Sequence, residues 1–193
     1  MTKSRTPVLI VLAVVLAALI IIFILGLSPE RIAKPADAME TPVAGGPAPN
    51  ETKTVTLFFL REDDGLFLPE ERKIPVAGSI AREAESVLLE LIKGSTNGLP
   101  SALPPETKIL QVFLTKDGTA YADFSKDLAA AHPSGADAET STVYVIVDSL
   151  AYNFKTIKKV VILIDGEERE TLNGHITLDR ALVPNYTLIA KTP

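Results

Sequence analysis

The sequence predicts an α+β domain of ββαββαββ order, its helices packed on a mixed or antiparallel sheet, behind one N-terminal transmembrane helix. Three observations carry that expectation. The dipeptides Asp64-Gly65, Asp117-Gly118 and Asp165-Gly166 each separate two stretches that can be extended. Two stretches between them place apolar residues at helical spacing. Near the N-terminus, Val8–Leu27 is free of charge and, Gly26 apart, consists of Ala, Val, Ile, Leu and Phe.

The apolar run comes first along the chain. At about 1.5 Å per residue it covers roughly 30 Å, the depth of a bilayer's hydrocarbon core. A helix satisfies its own backbone there, and a helix buried in a soluble core is seldom this long or charge-free all round. The other candidate is a cleaved signal peptide, with Lys3 and Arg5 as its basic start and Ala36-Asp37-Ala38 as a small-x-small site. The run exceeds a signal core and the Ala-Asp-Ala lies well beyond its end, so an uncleaved anchor is preferred. Lys3 and Arg5 before the span are balanced by Arg31 and Lys34 after it. The free amino terminus tips the balance towards a cytoplasmic tail over residues 1–7 and an external domain.

Residues 28–53 read as a Pro/Ala-rich disordered linker. Pro29, Pro35, Pro42, Pro47 and Pro49 fall here, five of the chain's 14 prolines. Such composition buries too little apolar surface to offset the entropy of ordering.

The globular domain is expected over residues 54–193. Val55–Leu60, Ile109–Thr115 and Val160–Ile164 precede the three Asp-Gly pairs, whose positive-φ preference suits tight turns, so three hairpins are expected. The first helix spans Ile80–Lys93, with Ser79 as N-cap, Gly94 as terminator, and Ile80, Ala84, Val87, Leu88 and Leu91 on one face. The second covers about Ala138–Phe154. Thr142–Val147 has strand propensity, but Val143, Ile146, Val147, Leu150 and Phe154 form a helical stripe, and helix is preferred. Gly94–Thr107 and Asp127–Asp137 are Pro-bearing connections. The tail adds a strand at Tyr186–Ala190 or trails off.

Composition narrows the chemistry. Nineteen Lys and Arg against 24 Asp and Glu give a net charge of −5, and the pI is near 5.1. That balance argues against a nucleic-acid partner. The absence of cysteine excludes thiolate chemistry and a lipidated N-terminal cysteine. His175 lacks a partner cluster in sequence, and His132 precedes a proline in a small-residue loop. Asp123 and Ser125 project to the same side of a strand, but neither His stands at a spacing that would activate the serine. Glu62-Asp63-Asp64, Glu70-Glu71 and Glu167-Glu168-Arg169-Glu170 lack the alternation of a calcium loop and read as solvated hairpin ends. No phosphate-binding loop, zinc motif or nucleophile elbow occurs. No catalytic, metal or cofactor-binding residue is assigned, and no cofactor is expected.

Several short motifs, taken in order, resemble the GerM family of sporulation and spore-germination domains. They are Leu68-Pro69-Glu70-Glu71-Arg72; Lys93-Gly94 with Gly98-Leu99 and Leu103-Pro104-Pro105; Asp117-Gly118-Thr119-Ala120-Tyr121-Ala122-Asp123-Phe124-Ser125; Val160–Gly166; and Leu172-Asn173-Gly174-His175-Ile176. The resemblance covers about Thr54–Leu182. Ser95 stands where the family commonly has a proline. The resemblance implies structural roles for Pro69, Glu70, Arg72, Gly118, Asp123, Ser125, Asp165, Gly166, Gly174 and His175. It further implies a non-enzymatic, envelope-facing module, membrane-anchored or lipidated and linked to cell-wall processes and assemblies. Anchor, tether and a domain poor in sites together lead to the expectation of a module on the bacterial cytoplasmic membrane that binds a protein partner, itself or peptidoglycan through its sheet edges and two Pro-containing loops. The alternatives are a cell-wall remodelling enzyme, with Asp123, Ser125 and His175 as its positions to test, and an accessory or sensor domain regulating a membrane kinase or cell-wall hydrolase.

Overall fold

The computed structural model describes residues 51–191. The expected tail, membrane span and most of the linker lie outside the described residues, among which no helix is long and apolar enough to cross a membrane. Strand β1 begins at Thr52, taking in the last two residues assigned to the linker.

The element order is β1 (Thr52–Leu60), β2 (Phe67–Pro75), α1 (Ile80–Lys93), β3 (Ile109–Leu114), β4 (Thr119–Phe124), a short α2 (Asp127–Ala130), α3 (Ala136–Asn153) and β5 (Lys159–Ile164). A 3-10 turn follows at Tyr186–Leu188. The strands form two sheets. One is the antiparallel pair β1-β2; the other has the order β3-β4-β5, antiparallel then parallel. Helix α1 packs on β1, β2, β3 and α3, while α3 packs on β1 and β5. The core lies between the helices and the sheets, with Phe58, Phe59, Phe67, Phe124, Leu88, Leu91, Ile146 and Leu150 at 2% exposure or less.

Both helices form where expected. Ser79 accepts a hydrogen bond from Arg82 N (3.4 Å), and Gly94 ends α1 at φ 86°. In α3, Val143, Ile146, Val147 and Leu150 are buried as the stripe requires, and Thr142–Val147 is helical.

The third hairpin departs from expectation. Asp165 (φ 53°) and Gly166 (φ 79°) make the two-residue turn their sequence favours, closed by hydrogen bonds between Ile164 and Glu167. Pairing stops at that single bridge. The next residues, Glu168-Arg169-Glu170, are exposed and offer no apolar alternation to bury, so no strand follows. The expected strand at Tyr186–Ala190 is instead the 3-10 turn followed by one parallel bridge between Ile189 and Phe67.

The edges of the β1-β2 sheet are partly occupied. On β1, Thr56 N donates to Asn153 Oδ1 (2.8 Å), Asn153 Nδ2 donates to Thr56 O (2.6 Å), and Phe58 N donates to Ser149 Oγ (3.2 Å). Side chains of α3 thus pair a strand edge that would otherwise invite another chain. On β2, Ala190 N donates to Phe67 O (2.9 Å). Pro69 follows two residues later with no N–H to extend that pairing.

Candidate functional site

Apart from Gly118, the family-motif residues come together in three separate places, and each place fastens a loop. In β2, Glu70 and Arg72 share a face at strand period two. Glu70 is 5% exposed and accepts hydrogen bonds from Ser95 Oγ (2.6 Å), Thr96 N (3.0 Å) and Thr96 Oγ1 (2.7 Å), and it also pairs with Arg72. Burial alone would raise its pKa, but these donors outweigh burial and hold it down at about 2. Arg72 Nη2 donates to Gly94 O (3.2 Å). This cluster clamps the end of α1 to β2. Ser95, the position that departs from the family pattern, supplies one of the clamp's donors.

The second place joins β4 to the β5 turn. Asp123 Oδ1 accepts from Gly166 N (2.9 Å), Asp165 Oδ1 accepts from Lys126 N (3.0 Å), and Asp165 N donates to Phe124 O (2.8 Å). Ser125 Oγ accepts from Lys108 N (3.1 Å) and donates to Asp127 Oδ2 (3.0 Å). Gly118 lies at the opposite end of β4, in the β3–β4 turn at φ 87°, where a Cβ would come within 2.6 Å of Thr156 O.

The third place is on α3. Glu139, fully buried, accepts from the backbone N–H groups of Asn173 (3.1 Å), His175 (3.0 Å) and Ile176 (3.0 Å). His175 Nδ1 adds a fourth contact at 2.7 Å. Burial pushes this carboxyl up, the four donors pull it down more strongly, and its pKa falls to about 2. Gly174, at φ 108°, lets the loop curl around the carboxylate.

Asp123, Ser125 and His175 therefore make no hydrogen bond with one another. Each is engaged by a different partner. Among the described residues no group of three or more His, Asp or Glu is placed to hold a metal ion.

A concave surface lies around the N-terminal end of α3. A cavity of about 640 Å³ is lined by Leu60, Glu62, Asp64, Phe67, Asp137 and Leu188, among others. A neighbouring cavity of about 340 Å³ is lined by Leu103, Pro104, Pro105, Glu106, His132 and Pro133. Leu60, Ala138 and Ser141 line both, so the two form one groove. The two Pro-bearing connections meet at its wall. Thr142 Oγ1 donates to Ala102 O (2.5 Å) in one, and it lies 2.6 Å from Nε2 of His132 in the other. His132 Nδ1 lies 2.6 Å from Pro133 O. His132 is thus a structural tie between loops.

Sequence reasoning found the two Pro-bearing loops but missed Glu139, Asp137, Glu106 and Ser141. Glu62-Asp63-Asp64 is the exposed end of the β1–β2 hairpin, as read, and Glu62 and Asp64 also line the groove; Glu70, read as part of another solvated end, is instead buried. Asp64 is fastened within its own loop, 2.5 Å from Arg61 Nη2, and accepts from Leu66 N (3.1 Å).

The model of the Germane family, described as "Sporulation and spore germination", matches residues 56–170, within the span over which the motifs resemble GerM. Among solved structures, the tandem GerMN domains of the sporulation protein GerM from Bacillus subtilis share 26% identity at a TM-score of 0.55, over 68% of this chain and 46% of theirs. The first GerMN domain of that protein gives 24% identity and a TM-score of 0.55 over 68% of this chain and 97% of that one. A structure named "Putative Lipoprotein from Clostridium perfringens" gives 24% and 0.50 over 68% and 87%. This chain spans less than half of the tandem protein. A comparison with curated proteins gives no match.

Proposed function

The chain belongs to the sporulation and spore germination family, and we propose that it is a membrane-tethered, non-enzymatic binding or assembly module of the bacterial cell envelope. Residues 8–27 anchor it as a single-pass protein in the cytoplasmic membrane, the linker carries the domain outward, and the domain engages a protein partner, a second copy or peptidoglycan. One observation carries this. The polar residues of the family motifs are spent on holding loops, while the groove where the two Pro-bearing connections meet is left open and lined by residues outside those roles. A tether raises the local concentration of partners in the same membrane, so a shallow surface suffices.

The chain's lack of cysteine makes the test clean. Single cysteines at Thr2 and at Ser134, by the groove, are treated in intact cells with a membrane-impermeant maleimide. The expected result is labelling of Ser134→Cys only. A maleimide-benzophenone attached to Ser134→Cys, and to a set of single cysteines over the rest of the domain, then reports neighbours in the envelope. Labelling of Thr2→Cys alone contradicts the topology. A lack of crosslinked product from every position contradicts the binding role.

A further inference from the structure

The groove at the head of α3 is chemically one-sided. Glu62, Asp64, Glu106 and Asp137 line it, and no Lys or Arg does. Asp64 is neutralised by Arg61. Glu62, Glu106 and Asp137 have no ion-pair partner among the described residues. Between these carboxylates the wall is aliphatic, with Leu60 and Pro105 accessible and Leu103 and Pro104 buried behind them.

Two polar features of the floor also lack partners. Ser141 is 9% exposed, lines both cavities, and its hydroxyl makes no hydrogen bond among the described residues. Gly135, the N-cap of helix α3, has no side chain to cap it, so the first-turn N–H groups of Ala136, Asp137 and Ala138 lack the side-chain acceptor that Ser79 gives α1. Backbone donors and a hydroxyl on the floor, aliphatic walls and unpaired carboxylates on the rim together make a complement to one kind of ligand.

We propose that this groove binds an extended, basic peptide segment of a protein partner. The peptide's carbonyl groups take the free N–H groups and the Ser141 hydroxyl, an aliphatic side chain packs against Leu60 and Pro105, and Lys or Arg side chains meet Glu62, Glu106 and Asp137. An anionic ligand such as a phosphate or lipid headgroup is disfavoured by the same three carboxylates. This rests on the binding-module proposal above and narrows it to one site and one ligand chemistry.

The test uses the full chain in detergent micelles and a fluorescein-labelled Ala-Lys-Leu-Lys-Ala-Lys peptide, followed by polarisation, with a Glu-for-Lys peptide and a soluble muropeptide as competitors. The expected result is saturable binding of the Lys peptide, weakened by added salt and unaffected by either competitor. The triple variant Glu62→Gln, Glu106→Gln, Asp137→Asn should bind roughly tenfold more weakly, the loss expected for a few partly exposed charge pairs. Ala138→Leu, which enlarges a side chain lining both cavities, should do the same. Glu167→Gln, which does not line the groove, should not, and all variants should keep the parent's thermal midpoint. Binding that ignores the groove variants overturns the site, as does displacement by the muropeptide, which would assign the groove to cell-wall material. Absence of peptide binding also overturns it. In that case crosslinks from positions away from the groove would leave the module proposal standing, whereas none anywhere would end both.

Discussion

Glu139 and Asp148 stand on the same helix, both at 0% exposure, and they end in opposite states. Glu139 collects three backbone N–H groups and His175 and is held at a pKa of about 2. Asp148 receives one donor, Asn185 N at 2.7 Å, and its Oδ2 has no partner. Burial prevails there and lifts it to about 6. Two differences separate them: Glu139 collects more donors, and Asp148 lies deeper in the molecule, where the cost of desolvating a charge is larger. The LNGHI loop supplies donors in a row because Gly174 lets its backbone turn inward. The segment at Asn185 supplies one.

The largest test of this contrast is Glu139→Ala, which strands three backbone donors and frees the loop at residues 173–176. A loss of about 3–4 kcal/mol in urea unfolding is expected, in the range for breaking a buried charged hydrogen-bond network. Glu70→Gln keeps one acceptor but loses its charge beside Arg72, and about 2 kcal/mol is expected.

The pH dependence follows with opposite signs. The folded pKa values of Glu139 and Glu70 lie below their ordinary 4.5. Their stabilisation is therefore present above that value and is lost as pH falls towards about 2. Asp148 is raised from 3.8 to about 6, so the folded state binds the extra proton between those values and stability declines as pH rises through them. Asp148→Asn should flatten that decline and gain about 1–2 kcal/mol at pH 8. Unfolding midpoints of parent and variant across pH 4–8 check it. The smallest effect belongs to His175→Ala, which leaves the backbone donors in place; below about 1 kcal/mol is expected, because the side chain is half exposed.

The same physics explains what could be read from the sequence. Both long helices were legible because their apolar stripes recur at a period that only a helix aligns, and Ser79 and Gly94 marked the ends of the first. The Asp165-Gly166 turn was legible too, but not its lack of a second strand, since a turn signal says nothing about whether Glu168-Arg169-Glu170 can pair. The roles of Glu139, Ser149 and Asn153 left no trace. Their partners are backbone N–H and C=O groups far along the chain, and every residue type carries those. The groove was half legible. The Pro-bearing loops stood out, but their meeting at the head of α3 depends on the tertiary fold.

Donor number and depth together set the charge of these two buried carboxylates, and carboxyl ¹³C NMR of the labelled protein across pH 2–8 tests this most directly. The Glu139 signal should stay that of an ionised carboxylate down to about pH 2, while Asp148 titrates near 6. Two carboxyls titrating together near the ordinary carboxylate range would contradict it.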